Sequence, residues 1–317
     1  MGLGLASLLL PRNLITSEVL TFGLIADVHK DLMPDADHRL ITFIQEANKR
    51  DVDMILQLGD FCMAENSNQQ FINIWNSFGG AKYHVLGNHD MDRHSKEEML
   101  QFWNMPSTYY SFIQKGVRFI VLDANFLFDG KRYVDYKNAN FYVDNALRTF
   151  INEEQILWLE SELDSKDLPT IICSHQSLRH EEWGVKNRSV IQRILERHKH
   201  QILCCLNGHN HLDYHHIQNG INYLDINSAS YYWTSDEYKS HDRFPDELYQ
   251  KYKLLPNLAA YRDPLFAFAR IDQNGLHLSG VQSQWIPPSP FEVGLPKGKV
   301  GSQPSPIISD FQVEKSF

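Results

Sequence analysis

With 317 residues, 43% of them hydrophobic and 12% aromatic, the chain is long enough for one large domain or two small ones and can bury a core. Its formal charge of −9 excludes a general binder of nucleic-acid polymers or anionic membranes, because no basic excess is available to neutralise successive phosphates. No run approaches the ~18 apolar residues of a membrane span, so no transmembrane segment is expected.

The chain opens with MGLGLASLLLPRN, an apolar stretch without the basic leader of a complete export signal. Residues 1–17 read either as the end of a longer signal or as a first strand or loose end, which leaves the compartment open between cytoplasmic and exported. TFGLIADVH then reads as a buried strand delivering Asp27 and His29, and ADHRLITFIQEANKR as a helix with Leu40, Ile41, Ile44 and Ala47 on one face. DMILQLGDF is a second strand, ending at Asp60. FINIWNSFGG places Phe71, Ile74, Trp75 and Phe78 at helical spacing before Gly79 and Gly80 stop the helix. KYHVLGNHD is a third strand, delivering Asn88, His89 and Asp90, and SKEEMLQFW a third helix.

YYSFIQKGVRFIVLDAN predicts an antiparallel hairpin turning at Lys115-Gly116. Residues 125–150 carry no clear period and read as a long loop or insertion, a kind of segment that is often functional. Asn152 looks like a helix N-cap with Gln155 three residues on, followed by the stripe Ile156, Leu159 and Leu163. TIICSH ends at His175, a helix with Val190, Ile191, Ile194 and Leu195 follows, and QILCCLNGHNH ends at His209 and His211. Asn219-Gly220 and Asn274-Gly275 mark two later hairpins. Strand-helix-strand units first and hairpins later suggest two sheets stacked between helices. Residues 18–285 are expected to form one domain, and the Pro/Gly/Ser-rich residues 286–317 a tail laid over the surface or partly disordered. Cys62, Cys173, Cys204 and Cys205 lie in or beside the core strands and read as buried free thiols.

Asp27, His29, Asp60, Asn88, His175, His209 and His211 thus stand at the ends of apolar strands, where open α/β sheets build their sites. Asp27 and His29 are two apart in what reads as an extended segment, so both side chains are expected to reach one ion. Asp60 has two carboxylate oxygens to bridge a pair of ions, and Gly59 lets the backbone pass close by. His, Asp and Asn donors suit Mn, Fe or Zn and argue against a thiolate site. Two ions roughly 3.5–4 Å apart would bridge a hydroxide and clamp the entering and leaving oxygens of an in-line displacement. After Asp27, Asp60 and that hydroxide are counted, about one net positive charge remains, a local attractor for phosphate inside an acidic protein.

The series DVH at Asp27 to His29, GD at Gly59 and Asp60, GNHD at Gly87 to Asp90, His175, and GHNH at Gly208 to His211 resembles the signature of the calcineurin-like dinuclear metallophosphoesterases. The resemblance implies an α/β fold, a four-layer αββα sandwich of two mixed sheets flanked by helices. It implies Asp27, His29, Asp60 and His211 on one metal ion and Asp60, Asn88, His175 and His209 on the other. It also implies His89 as general acid or transition-state stabiliser, with Asp90 orienting its imidazole. Departures narrow the group. The arginine before the Asn-His block and the acidic-Arg-Gly extension of protein phosphatases are missing, and Met63 stands where purple acid phosphatases need tyrosine. The chain is too short for a large nucleotidase with a second substrate domain.

YYSF, GVRFIVLDAN, EEQILWLESEL, IICSHQSL and CLNGHNH are similar to the manganese-dependent ADP-ribose and CDP-alcohol diphosphatases and their bacterial relatives. The resemblance implies a hydrolase for a phosphodiester or pyrophosphate in a small nucleotide-like substrate. A broad phosphomonoesterase is the alternative, and a metal-binding scaffold without turnover a further one, which the presence of His89 disfavours. Phe126, Phe128, Tyr231, Tyr232 and Trp233 fit ordinary packing better than a base-stacking role. His94 and His180 follow the ligand blocks closely enough to approach substrate.

Overall fold

A computed structural model describes residues 18–298 and 303–314, so the apolar segment 1–17 lies outside the described residues. From β1 (Leu20–Ile25) the chain runs through α1 (Ala36–Lys49), β2 (Met54–Gln57), α2 (Gln69–Asn76), β3 (Ala81–His84) and α3 (Lys96–Trp103). Next come β4 (Tyr110–Gln114), β5 (Val117–Leu122) and three short strands, β6 (Phe126–Phe128), β7 (Tyr133–Asp135) and β8 (Arg148–Phe150). These lead to α4 (Glu153–Ser165), β9 (Thr170–Ser174), α5 (Arg188–Arg197), β10 (Ile202–Asn207), β11 (Tyr214–Gln218), β12 (Ile221–Asp225) and β13 (Tyr231–Trp233). The last elements are α6 (Asp246–Lys251), β14 (Leu258–Ala260), β15 (Ala267–Asp272), β16 (Gly275–Ser279) and β17 (Phe311–Glu314).

Two six-stranded sheets result, in the orders β17-β16-β15-β1-β2-β3 and β11-β12-β10-β9-β5-β4. In the first, β1, β2 and β3 are parallel; in the second, β5, β9, β10 and β12 are. Hairpin strands complete each sheet in antiparallel register, so both are mixed. Phe22, Leu24 and Leu56 of the first sheet meet Phe119, Val121, Ile171 and Leu206 of the second, with the Phe22 and Phe119 rings edge to face at 5.4 Å. Phe43 of α1 and Phe71 and Trp75 of α2 cover the outer face of the first sheet; Leu159 and Leu163 of α4 and Ile191 and Leu195 of α5 cover the second. This is the αββα sandwich in four layers. Both faces of each central strand are buried, which is why those strands read as continuous apolar runs.

Local signals act where their chemistry is strongest. Lys115 and Gly116 (φ 45° and 80°), like Asn219 and Gly220 (53° and 85°), take positive φ at both turn positions, the type I′ geometry that matches strand twist. Asn152 Oδ1 accepts from Gln155 N at 3.0 Å and starts α4. The α1 stripe is rotated from the expected one: Leu40, Phe43, Ile44 and Ala47 are buried at i, i+3, i+4, i+7, while Ile41 is 36% exposed.

Residues 125–150 are not a structureless loop. They fold into a small sheet of order β7-β6-β8, whose three-residue strands are too short to show a period. The Pro/Gly/Ser-rich stretch ends in a strand as well, since β17 pairs antiparallel with β16 at the edge of the first sheet. Among the described residues, no helix is long and apolar enough to cross a membrane.

Candidate metal centre

The C-terminal ends of the parallel strands converge on one edge of the sandwich. Asp27 and His29 follow β1, Asp60 follows β2, Asn88 follows β3, His175 follows β9, and His209 and His211 follow β10. Asp27, His29, Asp60, His209 and His211 have φ of 50°, 53°, 50°, 67° and 50°. The extended path expected for Asp27 to His29 is therefore wrong: left-handed residues turn the chain at once as it leaves the strand. Non-glycine residues in this region cost about 1–3 kcal/mol each and persist where neighbours fix them. Here Asp27 N donates to Gly59 O and His29 N to Asp60 O, both at 3.0 Å. From the far side, Ser228 Oγ donates to Asp27 O at 2.8 Å and Ser230 Oγ to Val28 O at 2.9 Å.

Two candidate ligand clusters emerge, Asp27 with His29 and His211, and Asp60 with His175 and His209, each with its donor atoms within 4.8 Å of one another. His29 Nε2 and His211 Nε2 face each other at 3.2 Å, and His211 Nε2 lies 3.3 Å from Asp27 Oδ1. In the second cluster His209 Nδ1 is 3.2 Å and Asp60 Oδ2 is 3.1 Å from His175 Nε2. Asp60 Oδ2 also stands 3.7 Å from His29 Nε2, between the clusters. Far nitrogens are anchored: His211 Nδ1 lies 2.8 Å from Tyr231 O, and His175 Nδ1 lies 2.8 Å from Leu58 O. A carbonyl can only accept, so Nδ1 carries the proton and each Nε2 is the ring nitrogen left to a cation. Inward-facing nitrogens with buried carboxylates and no thiol fit divalent metal ions, as do two sites side by side.

Glycine makes the approach close enough. A Cβ on Gly59, which also has φ of 97°, would lie 2.4 Å from His175 Nδ1, and one on Gly208 would lie 2.4 Å from Asp27 Oδ2. Asn88 stands at the start of the His89–Met91 turn, and its Oδ1 accepts from Gln176 Nε2 at 3.4 Å.

His89 sits at the rim, a third of its side chain exposed, and its backbone N–H donates to Asp60 Oδ1 at 2.8 Å. Burial lowers the basicity of this imidazole, but Asp60 and Asp92 outweigh it and push the pKa up to about 9. The partner of Nδ1 is Asp92, at 3.0 Å, and not Asp90 as the sequence suggests. Asp90 instead accepts from the backbone of Phe61 (2.7 Å), Gly87 (2.8 Å) and Asp60 (3.1 Å), tying the second and third ligand turns together.

Sequence reasoning missed Asp92, Gln176, Ser228 and Ser230; Ser228 and Ser230 gave no signal, being about 200 positions from the turn they hold. Other flagged residues lie apart from the ligands. His94 pairs with Glu65 and Glu98, and His180 Nδ1 accepts from Trp183 N. Phe126 lies under the Lys96 ammonium, Phe128 stacks on Tyr133, Tyr232 is half-buried and Trp233 is 43% exposed. Tyr231 does reach the site, its ring 5.1 Å from His29 and 4.8 Å from His211. All four cysteines are free and buried.

The chain is 22% identical over 269 residues to a manganese-dependent ADP-ribose/CDP-alcohol diphosphatase of Arabidopsis thaliana, covering 66% of this chain and 86% of that one. In structure it is similar to a dimetal phosphatase of Danio rerio (TM-score 0.61, 19% identity, 84% of this chain and 98% of that one). It is also similar to GAP50, the anchor in the inner membrane complex of Plasmodium (TM-score 0.56, 14% identity, 94% and 90%). At such identities the structural likenesses speak for the fold alone. The calcineurin-like phosphoesterase profile matches residues 20–213, more than half the chain and every ligand turn described above, and the chain belongs to that family.

Proposed function

We propose that this phosphoesterase hydrolyses a phosphodiester or pyrophosphate bond in a small nucleotide-like molecule, by in-line attack of water. The observation that carries the reading is the placement of Asp60 between two ligand clusters, with His89 at their rim. In this reading Asp27, His29, Asp60 and His211 hold one divalent ion, and Asp60, Asn88, His175 and His209 the other. Such a pair, when bound, supplies Lewis acidity to the phosphoryl group and makes the attacking water acidic.

The chain's own residues supply the rest. His89, held through Nδ1 by Asp92, gives its Nε2 proton to the departing oxygen, an effect worth ~10²–10⁴-fold. Asp92 keeps that ring in the donating orientation by accepting from Nδ1. The backbone N–H of His89 holds Asp60 Oδ1, so acid and bridging carboxylate keep a fixed relation. The name of the Arabidopsis relative supports a diphosphate among the substrates.

A panel of bis-p-nitrophenyl phosphate, ADP-ribose and p-nitrophenyl phosphate with Mn²⁺, Zn²⁺ or Fe²⁺ tests the reading. The diester or the diphosphate is expected to turn over faster than the monoester, with Mn²⁺ among the supporting ions. Preference for the monoester would establish a broad phosphomonoesterase instead, and no metal-dependent turnover would leave a binding scaffold.

A further inference from the structure

The insertion between β5 and α4 is fastened to the turn that carries His89. Ala139 N donates to Met91 O at 3.1 Å, and Asn138 N donates to His94 O at 3.2 Å. Both residues have positive φ, 58° and 47°, and Thr149 holds 69° despite its β-branch. Conformations of this kind survive where packing leaves no alternative. Buried Tyr136 provides part of that constraint: its hydroxyl accepts from Thr149 N at 2.8 Å, and its ring stacks on Phe141 at 4.9 Å. Phe141 in turn stands edge-on to His89 at 5.8 Å.

Tyr142 comes next. It is 62% exposed, yet its hydroxyl lies 3.5 Å from His89 Nδ1, close beside the Asp92 carboxylate. Asp92 Oδ2 already takes Nδ1, while the buried Oδ1 has no hydrogen bond among the described residues and is open to a neighbouring hydroxyl. We propose that Tyr142 is a positioning residue for His89: its phenol donates to Asp92, which holds the imidazole through Nδ1 and leaves Nε2 for the departing oxygen. Burial, with Asp92 and Asp60, pushes the phenol up to about 12, so it keeps its proton at neutral pH. The insertion, remote in sequence from every ligand block, thereby completes the acid.

The inference rests on the reading of His89 as proton donor, and a mutant cycle separates the two. Wild type, Y142F, H89A and the double variant are compared as Mn²⁺-loaded enzymes on methyl p-nitrophenyl phosphate and methyl phenyl phosphate, which differ in leaving-group basicity. Y142F is expected to lower kcat on the phenyl ester about 3- to 10-fold, to lower it less on the nitrophenyl ester, to leave KM unchanged, and to cost nothing further in the H89A background. An equal loss on both esters, a loss that persists in H89A, or no loss at all would overturn the role. A readout independent of turnover is the ring N–H signal of His89 in the zinc-loaded, ¹⁵N-histidine-labelled protein, assigned by its disappearance in H89A. It is expected to shift in Y142F, and an unchanged signal would refute Tyr142 even if the wild type cleaved neither ester, a result that would itself defeat the phosphodiesterase reading.

Discussion

Asp92 Oδ2 accepts the Nδ1 proton of His89 at 3.0 Å, three residues away along one 3₁₀ turn, while the adjacent Asp90 points away into backbone amides. The two aspartates should therefore fail differently. Asp92→Asn is expected to keep the metal content and the fold but lower kcat by about 10-fold or more, since it perturbs the partner of the proposed acid. Asp90→Ala removes the acceptor of three buried amides, at about 1–3 kcal/mol each, and loosens the turn that presents Asp60. It should lower the urea midpoint and the metal content together. Metal analysis, kcat and urea denaturation on both variants check this, and a stable, metal-replete Asp90→Ala with impaired kcat alone would restore Asp90 as the orienting group.

Metal loading should depend on pH through His175. Burial lowers the affinity of this imidazole for a proton, but Asp60 and Asp27 overcome that and raise its pKa to about 9. In the metal-free protein at pH 7, Nδ1 faces Leu58 O and Nε2 carries a proton toward Asp60. A metal ion must displace that proton. Affinity should thus rise with pH up to about 9 and level off above it, with proton release on binding at neutral pH. The sign for stability is opposite. A raised imidazole pKa stabilises the metal-free fold fully below its unfolded value and is lost as pH climbs through about 9. Calorimetry in buffers of different ionisation enthalpy measures the release, and pH-independent affinity between 6 and 9 would contradict it.

The polar strand ends that converge at the candidate centre were legible because each apolar run stops at such a residue, and the hairpins because the glycine of Asn-Gly and Lys-Gly takes positive φ at low cost. The Asp92 contact was hidden because the resemblance implies Asp90, whereas a turn of three residues brings i and i+3 together. The left-handed ligand backbone was hidden too, since it is imposed by tertiary hydrogen bonds from Gly59, Asp60, Ser228 and Ser230. Strands β6 to β8 and β17 gave no period because each is three or four residues long.

Gln176 offers a test of the second ion alone. Its amide donates to Asn125 Oδ1 at 2.8 Å and to Asn88 Oδ1 at 3.4 Å, and Asn125 Nδ2 donates to Leu86 O and Asp123 Oδ1, both at 2.9 Å. This buried chain orients the one neutral oxygen donor of the proposed centre. Gln176→Ala is expected to weaken one of two metal equivalents by about 10- to 100-fold while leaving the Asp27, His29 and His211 site unchanged. Titration with Mn²⁺ or Zn²⁺ should show one of the two steps weakened and the other unmoved. Parallel weakening of both would indicate general disruption.

The chain continues to Lys96, which is 3% exposed at the start of α3. Its Nζ lies 2.6 Å from Asp123 Oδ2 and 2.7 Å from Asp135 Oδ1, with the Phe126 ring centroid at 3.4 Å. Asp123 has no solvent exposure, so Lys96→Met strands a buried carboxylate, a change that costs about 3–5 kcal/mol when one partner of a buried pair is removed. Because Asp135 belongs to β7, the same substitution also cuts a tie between the insertion and the sandwich. The companion change Asp123→Asn removes the stranded charge. The double variant is therefore expected to recover most of the stability lost in Lys96→Met, as read by urea midpoints, while Asp123→Asn alone leaves a buried ammonium with only the half-exposed Asp135. Equal instability of the double variant and Lys96→Met would mean that the lysine acts through packing on Phe126 and not through its charge.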